Sequence, residues 1–312
     1  MRMMKNRKAF FGGIMVAAAA MGLFVFATKD TTVRYFPFIK NTAKQETMAL
    51  PVNVTHAVKL PENIDFAGET VPLEDIEVRE RLDRELLVNS YWQSATILML
   101  KRANRYFPTI ERLLKEAGIP EDFKYLALAE SGLDYVVSPS GASGFWQFMK
   151  PAATQYGLQL DSEVDERYHL EKATLAACNY LRDAKEKTGS WTAAAAAYNM
   201  GLAGVLKQQQ SQGETAYYHL LLNTETSRYV QRIVALKIIH QNQRDFGFYL
   251  EKEDLYPELK YTTMEVDSAV NWIAIAKENN ISYKMLRIYN PWIRSLTLTN
   301  KTKKKYEVRI PA

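Results

Sequence analysis

From Pro72 onward the chain reads as a succession of amphipathic helices, with apolar residues recurring three and four apart. "PLEDIEVRERLDRELL" places acids early and apolar residues at Ile76, Leu82, Leu86 and Leu87, which predicts the first helix. "SYWQSATILMLKRANRYF" and "TIERLLKEAGIP" predict two more, the second stopping at Gly118. A fourth opens at Pro120, and Glu121 and Asp122 follow where they suit the positive end of the helix dipole. On it, Phe123, Leu126, Ala127 and Glu130 stand at i, i+3, i+4 and i+7, so a carboxylate projects from the apolar face in the last turn before Gly132. Further helices are predicted near 150–157, 170–187, 190–200 and 224–243. Five alanines from Ala193 to Ala197 make the third of these slim enough for close packing. Strand-like alternation is confined to the last fifty or so residues. There Met264 to Val266 reads as extended, a helix carries Val270, Ile273, Ala274 and Ala276 on one face, a second helix follows, and Tyr306, Val308 and Ile310 alternate. This strand–helix–helix–strand order puts a domain boundary near 255–260.

Residues 1–27 differ in kind. "MRMMKNRK" is positive, and the 19 residues from Ala9 to Ala27 are uncharged. With Val25-Phe26-Ala27 resembling a small-residue cleavage site, the segment predicts a signal peptide or an N-terminal membrane anchor. The positive flank predicts that everything after Thr28 lies outside the cytoplasm. Residues 28–72, with "FPF", "LPVNV" and "KLPEN", read as an irregular stalk. No cysteine follows the apolar run, which excludes a lipoprotein anchor, and the single Cys178 excludes an intramolecular disulfide. In "ATLAACNYL" that thiol reads as buried and inert.

Composition is that of a globular protein, 47% hydrophobic and 24% charged. Arg2, Lys5, Arg7 and Lys8 account for all but one of the net +5, which removes the argument for a nucleic-acid partner. The cluster Lys301, Lys303, Lys304 and Lys305 reads as a solvated turn, as does the acidic run Asp161, Glu163, Asp165 and Glu166. His56, His169, His219 and His240 lack ligand spacing, so no metal is expected.

Glu130 is the residue with chemical promise. Burial disfavours its anion, and so do the nearby helix-terminal carbonyls, so both raise its pKa. A carboxyl group protonated at neutral pH is what protonation of a glycosidic oxygen requires. The loop after it, Ser138-Pro139-Ser140-Gly141-Ala142-Ser143-Gly144, is too small and polar for core. Trp146 offers a flat face for a pyranose, and Gln147 offers a donor and an acceptor. The competing readings are a helix-end glutamate reaching solvent and an ordinary turn.

"ESGLDYVVSPSGASGFWQFM" resembles the signature of the family 1 lytic transglycosylases, whose catalytic domain is goose-lysozyme-like. "AAYNMG", "ETSRYVQRIVAL" and the stretch "NYLRDAKEKTGSWTAAAAAYN" resemble further family blocks in the same order, over roughly residues 120–245. The resemblance implies a mainly α, lysozyme-like catalytic domain over 73–255. It implies Glu130 as the single catalytic acid/base, Ser138 beside the scissile bond, Gln147 and the pair Tyr198 and Asn199 in the groove, and Tyr229 near the acid. Ser131 fits as a capping or orienting residue. The implied reaction cleaves the β-1,4 bond between N-acetylmuramic acid and N-acetylglucosamine, leaving 1,6-anhydromuramoyl ends without a cofactor. A hydrolytic muramidase and a non-catalytic peptidoglycan-binding scaffold are the alternatives.

"WIAIAKENNISYKMLRIYNPW", within residues 260–312, resembles a LysM module, a small α+β unit of βααβ order. The usual Gly-Asp-Thr-Leu element is replaced by Asp267-Ser268-Ala269-Val270, which leaves glycan binding and a purely structural cap both open. The family resemblance implies peptidoglycan glycan strands as partner, a monomer, and a place in the bacterial periplasm or cell envelope, anchored if Ala9 to Ala27 is retained.

Overall fold

The computed structural model of the chain describes residues 57–312, so the expected targeting segment and the first part of the expected stalk lie outside the described residues. The rest of that stalk is not irregular. Strands β1 (Asp65–Phe66) and β2 (Glu69–Thr70) form a hairpin whose turn residues, Ala67 and Gly68, both have positive φ. Such a turn matches the twist of the strands. Phe66 is fully buried against Phe123, and the Glu69 carboxylate accepts from the backbone of Trp191 and Thr192, at 2.5 and 2.9 Å.

The body is helical. Helix α1 (Ile76–Tyr91) starts at an Asp75 cap, and α2 (Gln93–Glu116) runs unbroken through Pro108 where the pattern predicts two helices. The missing N–H of Pro108 forfeits one bond. The buried stripe Leu100, Ala103, Phe107, Ile110 and Leu114 crosses the proline and holds the halves together. Helix α3 (Lys124–Ser131) carries Glu130 in its last turn and ends at Gly132, which takes the left-handed conformation at φ 60°. Then come α4 (Lys150–Gln155), α5 (Leu170–Thr188) and α6 (Trp191–Met200). All five alanines of α6 are buried, which lets it sit inside the body as the composition predicts. The Cys178 thiol of α5 is buried too, and burial pushes its pKa up to about 11. A helix not read from the sequence, α7 (Leu202–Gln212), starts straight after Gly201, and α8 (Tyr229–Gln241) closes the body.

The last residues form a small α+β module. Strand β3 (Tyr261–Val266) is followed by the short β4 (Val270–Asn271), α9 (Trp272–Glu278) and α10 (Tyr283–Tyr289). Then come β5 (Thr297–Leu298) and β6 (Tyr306–Pro311). β3 pairs antiparallel with β6, from Tyr261↔Pro311 to Val266↔Tyr306, and β4 pairs with β5. Asn271 caps α9, so the buried face is Trp272, Ile275 and Ala276 rather than the expected Ile273 and Ala274. The module's core includes Val164 and Tyr168 from the helical body. The chain is thus mainly α with small two-stranded sheets, as the patterning predicts.

Candidate functional site

Glu130 sits where α3 stops, half-buried beside α8. The Tyr229 hydroxyl, fully buried in the first turn of α8, donates to Glu130 Oε1. Burial raises the Glu130 pKa above that of an ordinary glutamate. The Tyr229 hydrogen bond and the Arg232 charge pull in the opposite direction without cancelling it, and the Glu225 charge adds to the rise. Tyr198 lies close enough for the Glu130 charge to raise its own pKa further, on top of burial, and its hydroxyl donates to the Trp146 carbonyl at 2.7 Å. A proton held to higher pH than usual can be given to a basic atom, and the resulting carboxylate can take one back. Tyr229→Phe is expected to raise the Glu130 titration midpoint further, because it removes a donor that favours the anion. The ¹³C shift of the labelled carboxyl followed against pH measures this.

The loop is stitched to the helix end. Ser131 Oγ donates to the Phe145 carbonyl at 2.8 Å and accepts from Leu133 N at 3.1 Å. Residues 136–148 form a double turn bridged at Val137↔Ser143 and Ser143↔Phe148. Ser138 Oγ accepts from Ala142 N at 3.0 Å, and Gln147 Nε2 donates to the carbonyls of Gly144 and Val136, at 2.8 and 3.1 Å. Gln147 is held at φ +47°, an uncommon conformation for a residue with a Cβ. Asn199 Oδ1 accepts from Thr226 Oγ1 at 2.8 Å, tying the end of α6 to the approach of α8. The geometry therefore joins Glu130 to Tyr229, Tyr229 to Tyr198 by proximity, and Ser131 to the double turn that carries Ser138 and Gln147.

Trp146 departs from the expectation. It is fully buried, and its indole N–H donates to Thr174 Oγ1 at 2.9 Å, so its ring has no face to offer a sugar. An indole goes inside once its N–H finds a partner, and Thr174 on α5 supplies it. Asp134 does not stand free as a second carboxylate: Arg102 Nη2 donates to it at 2.6 Å.

Two features escaped sequence reasoning. The buried Glu85 carboxylate of α1 gathers Arg84, Arg228 and Arg232 at 2.5, 3.3 and 3.7 Å, a cluster that flanks Tyr229 on both sides. Arg228 and Arg232 stand four apart around that tyrosine, a spacing that marks one helix face. The other is the acidic run from Asp161 to Glu166, expected to be solvated. Glu166 is buried and pairs with Lys172 and Lys304, at 2.5 and 3.0 Å, so Lys304 is no free turn residue either. Among the described residues, no group of three or more His, Cys, Asp or Glu is placed to hold a metal ion, and no helix is long and apolar enough to cross a membrane.

Comparison with known proteins gives two domain matches. Residues 108–221 match the transglycosylase SLT domain, and residues 262–312 match the soluble lytic transglycosylase C-terminal LysM-like domain. The chain is 29% identical, over 242 residues, to membrane-bound lytic murein transglycosylase D of Escherichia coli strain K12, and equally to that of strain CFT073. The match takes in 75% of this chain and 52% of each relative, so the chain spans about half the length of the curated relatives it matches.

Proposed function

We propose that this chain, which carries an SLT transglycosylase domain and a LysM-like C-terminal domain, is a peptidoglycan lytic transglycosylase with Glu130 as its single acid/base. The observation that carries the reading is the Glu130 carboxyl, held above its ordinary pKa at the end of α3 with Tyr229 as its donor. In this reading residues 73–255 form the catalytic domain and 260–312 the LysM-like module. Glu130 gives its proton to the oxygen linking N-acetylmuramic acid to N-acetylglucosamine, and the bond from that oxygen to C1 breaks. The muramoyl acetamido oxygen supports the positive C1, so the enzyme supplies no nucleophile. The Glu130 carboxylate then takes the C6 hydroxyl proton while O6 closes on C1, giving a 1,6-anhydro end with no water consumed. Ser138, Gln147, Tyr198 and Asn199 line the groove, and Ser131 acts by holding the loop to the helix end.

The likeness to a membrane-bound relative supports a cell-envelope location, with glycan strands as the partner. Export through residues 1–27, as a cleaved signal peptide or a retained anchor, and a monomeric state complete the reading, and N-terminal sequencing of the mature protein separates the two. Mass spectrometry of digested sacculi tests the chemistry. Anhydromuramoyl ends support it, reducing muramoyl ends mean a hydrolytic muramidase, and no released product means a silent scaffold.

A further inference from the structure

The C-terminal module rests on the loop between α4 and α5 and on the first turn of α5, and that loop reaches the double turn beside Glu130. The backbone N–H of Asp165 donates to the Trp292 carbonyl at 2.9 Å, and that of Arg294 donates to the Glu163 carbonyl at 2.8 Å. Glu163 Oε2 accepts from both the N–H and the hydroxyl of Thr299, at 2.9 and 3.0 Å. Lys304 Nζ donates to Glu166 and Gln159, at 3.0 and 2.8 Å, and the Tyr306 hydroxyl donates to Gln159 at 3.0 Å. Arg309 pairs with Glu171, whose carboxyl is held down to about 2, against the cost of its burial, by His169 and Arg309. Val164 is fully buried in the module's own core.

Within the clamped loop lies Arg167, its side chain only 5% exposed. Asp165 accepts from its Nε and Nη2, at 3.0 and 2.7 Å. That fork turns Nη1 onto the carbonyls of Gly141 and Phe148, at 3.0 and 3.1 Å. One guanidinium thus spans both turns of the segment bearing Ser138 and Gln147. The Arg167 carbonyl also presses on Gly144 so closely that a Cβ there would lie 2.0 Å from it.

We propose that the C-terminal module is a structural part of the active site, and that Arg167 is the positioning residue through which it fixes the Ser138–Phe148 turns. The inference rests on the lytic transglycosylase reading for its activity readout and on hydrogen exchange for the other. A module that only binds glycan would raise affinity for long strands and leave turnover of short ones alone. A strut acts on turnover whatever the substrate length, because the groove lip loses its register when the loop loosens.

The test uses the full chain carrying Arg309→Glu, Glu171→Arg, or both, with soluble glycan oligomers as substrate. The expected result for each single variant is a kcat lower by about fivefold with KM little changed, since groove geometry rather than uniform binding is lost. Amide exchange over residues 138–148 is expected to speed up by about tenfold. The double variant, which re-forms the pair with its charges exchanged, is expected to return both to within about twofold. Lys304→Met, at a partly exposed side chain, is the milder companion and is expected to move both readouts the same way. Single variants that keep wild-type exchange in the turns and wild-type kcat, and lose only retention on insoluble sacculi, would overturn the proposal. Absence of activity in the wild-type chain would instead sink the functional reading, and the exchange data would still decide whether the module braces the turns.

Discussion

Glu130→Gln is expected to lower turnover of peptidoglycan by about 10²–10⁴-fold while leaving sacculus binding in place. The substitution keeps the shape of the side chain and a carbonyl oxygen for the Tyr229 hydroxyl, and removes only the transferable proton. Asp134, the nearest carboxyl in sequence, is tied to Arg102 and is not free to take over. Product release from purified sacculi, measured beside sedimentation of the bound protein, separates loss of chemistry from loss of binding. The same variant carries a stability signature with a definite sign. The Glu130 pKa is raised on folding, so below the unfolded glutamate pKa the group is protonated in both states. As pH rises through the window between the two values, the unfolded chain releases a proton that the folded chain retains, and stability falls. Glutamine does not titrate, so the variant is expected to gain thermal stability over wild type at neutral pH and to lose that advantage near pH 4. Melting curves at the two pH values decide it.

Gly144→Ala is expected to be the most damaging single methyl in the described residues. At φ +78° an L-residue is strained, and the new Cβ would sit 2.0 Å from the Arg167 carbonyl oxygen and 2.7 Å from its carbon. Both are backbone atoms, so no side chain can swing aside. Left-handed strain of about 1–2 kcal/mol plus overpacking of about 1–3 kcal/mol gives a loss of about 2–5 kcal/mol. In a chain of this size that lowers Tm by about 10 °C. Activity at a temperature where the variant stays folded is expected to fall as well, because Gln147 Nε2 and Gln147 N both bond the carbonyl of Gly144. Gly141→Ala is the control. It shares a positive φ but meets nothing within 4 Å, so only the strain applies.

The pieces of this site differ in how far they could be read from the chain. The position of Glu130 followed from periodicity alone: three apolar residues set the face, and Gly132 ended the helix one residue past the final turn. The double turn was visible as a small, polar run. The fate of Trp146 was not, because its burial depends on Thr174, a partner 28 residues away on another helix. The acidic run from Asp161 to Glu166 looked solvated for a related reason, since Thr299, which Glu163 binds, and Lys304, which pairs with Glu166, lie more than a hundred residues on. Helix α7 was missed because Gly201 and the glutamine-rich "KQQQSQ" weaken its apolar stripe, leaving Val205 and Gln209 as its buried residues. Local pattern reports what a segment can form; which surface meets which is set by contacts no window contains.

The bond from Ser131 to the Phe145 carbonyl carries a consequence for the substrate. Coupled through that bond, proton donor and groove lip are expected to move together, so the gap between them is expected to be preset rather than formed around a sugar. In the proposed reaction, the flattening of the pyranose at C1 and the swing of its C6 arm must then be supplied by the ring itself. A disaccharide locked in a relaxed chair should bind poorly, and one already puckered should bind well.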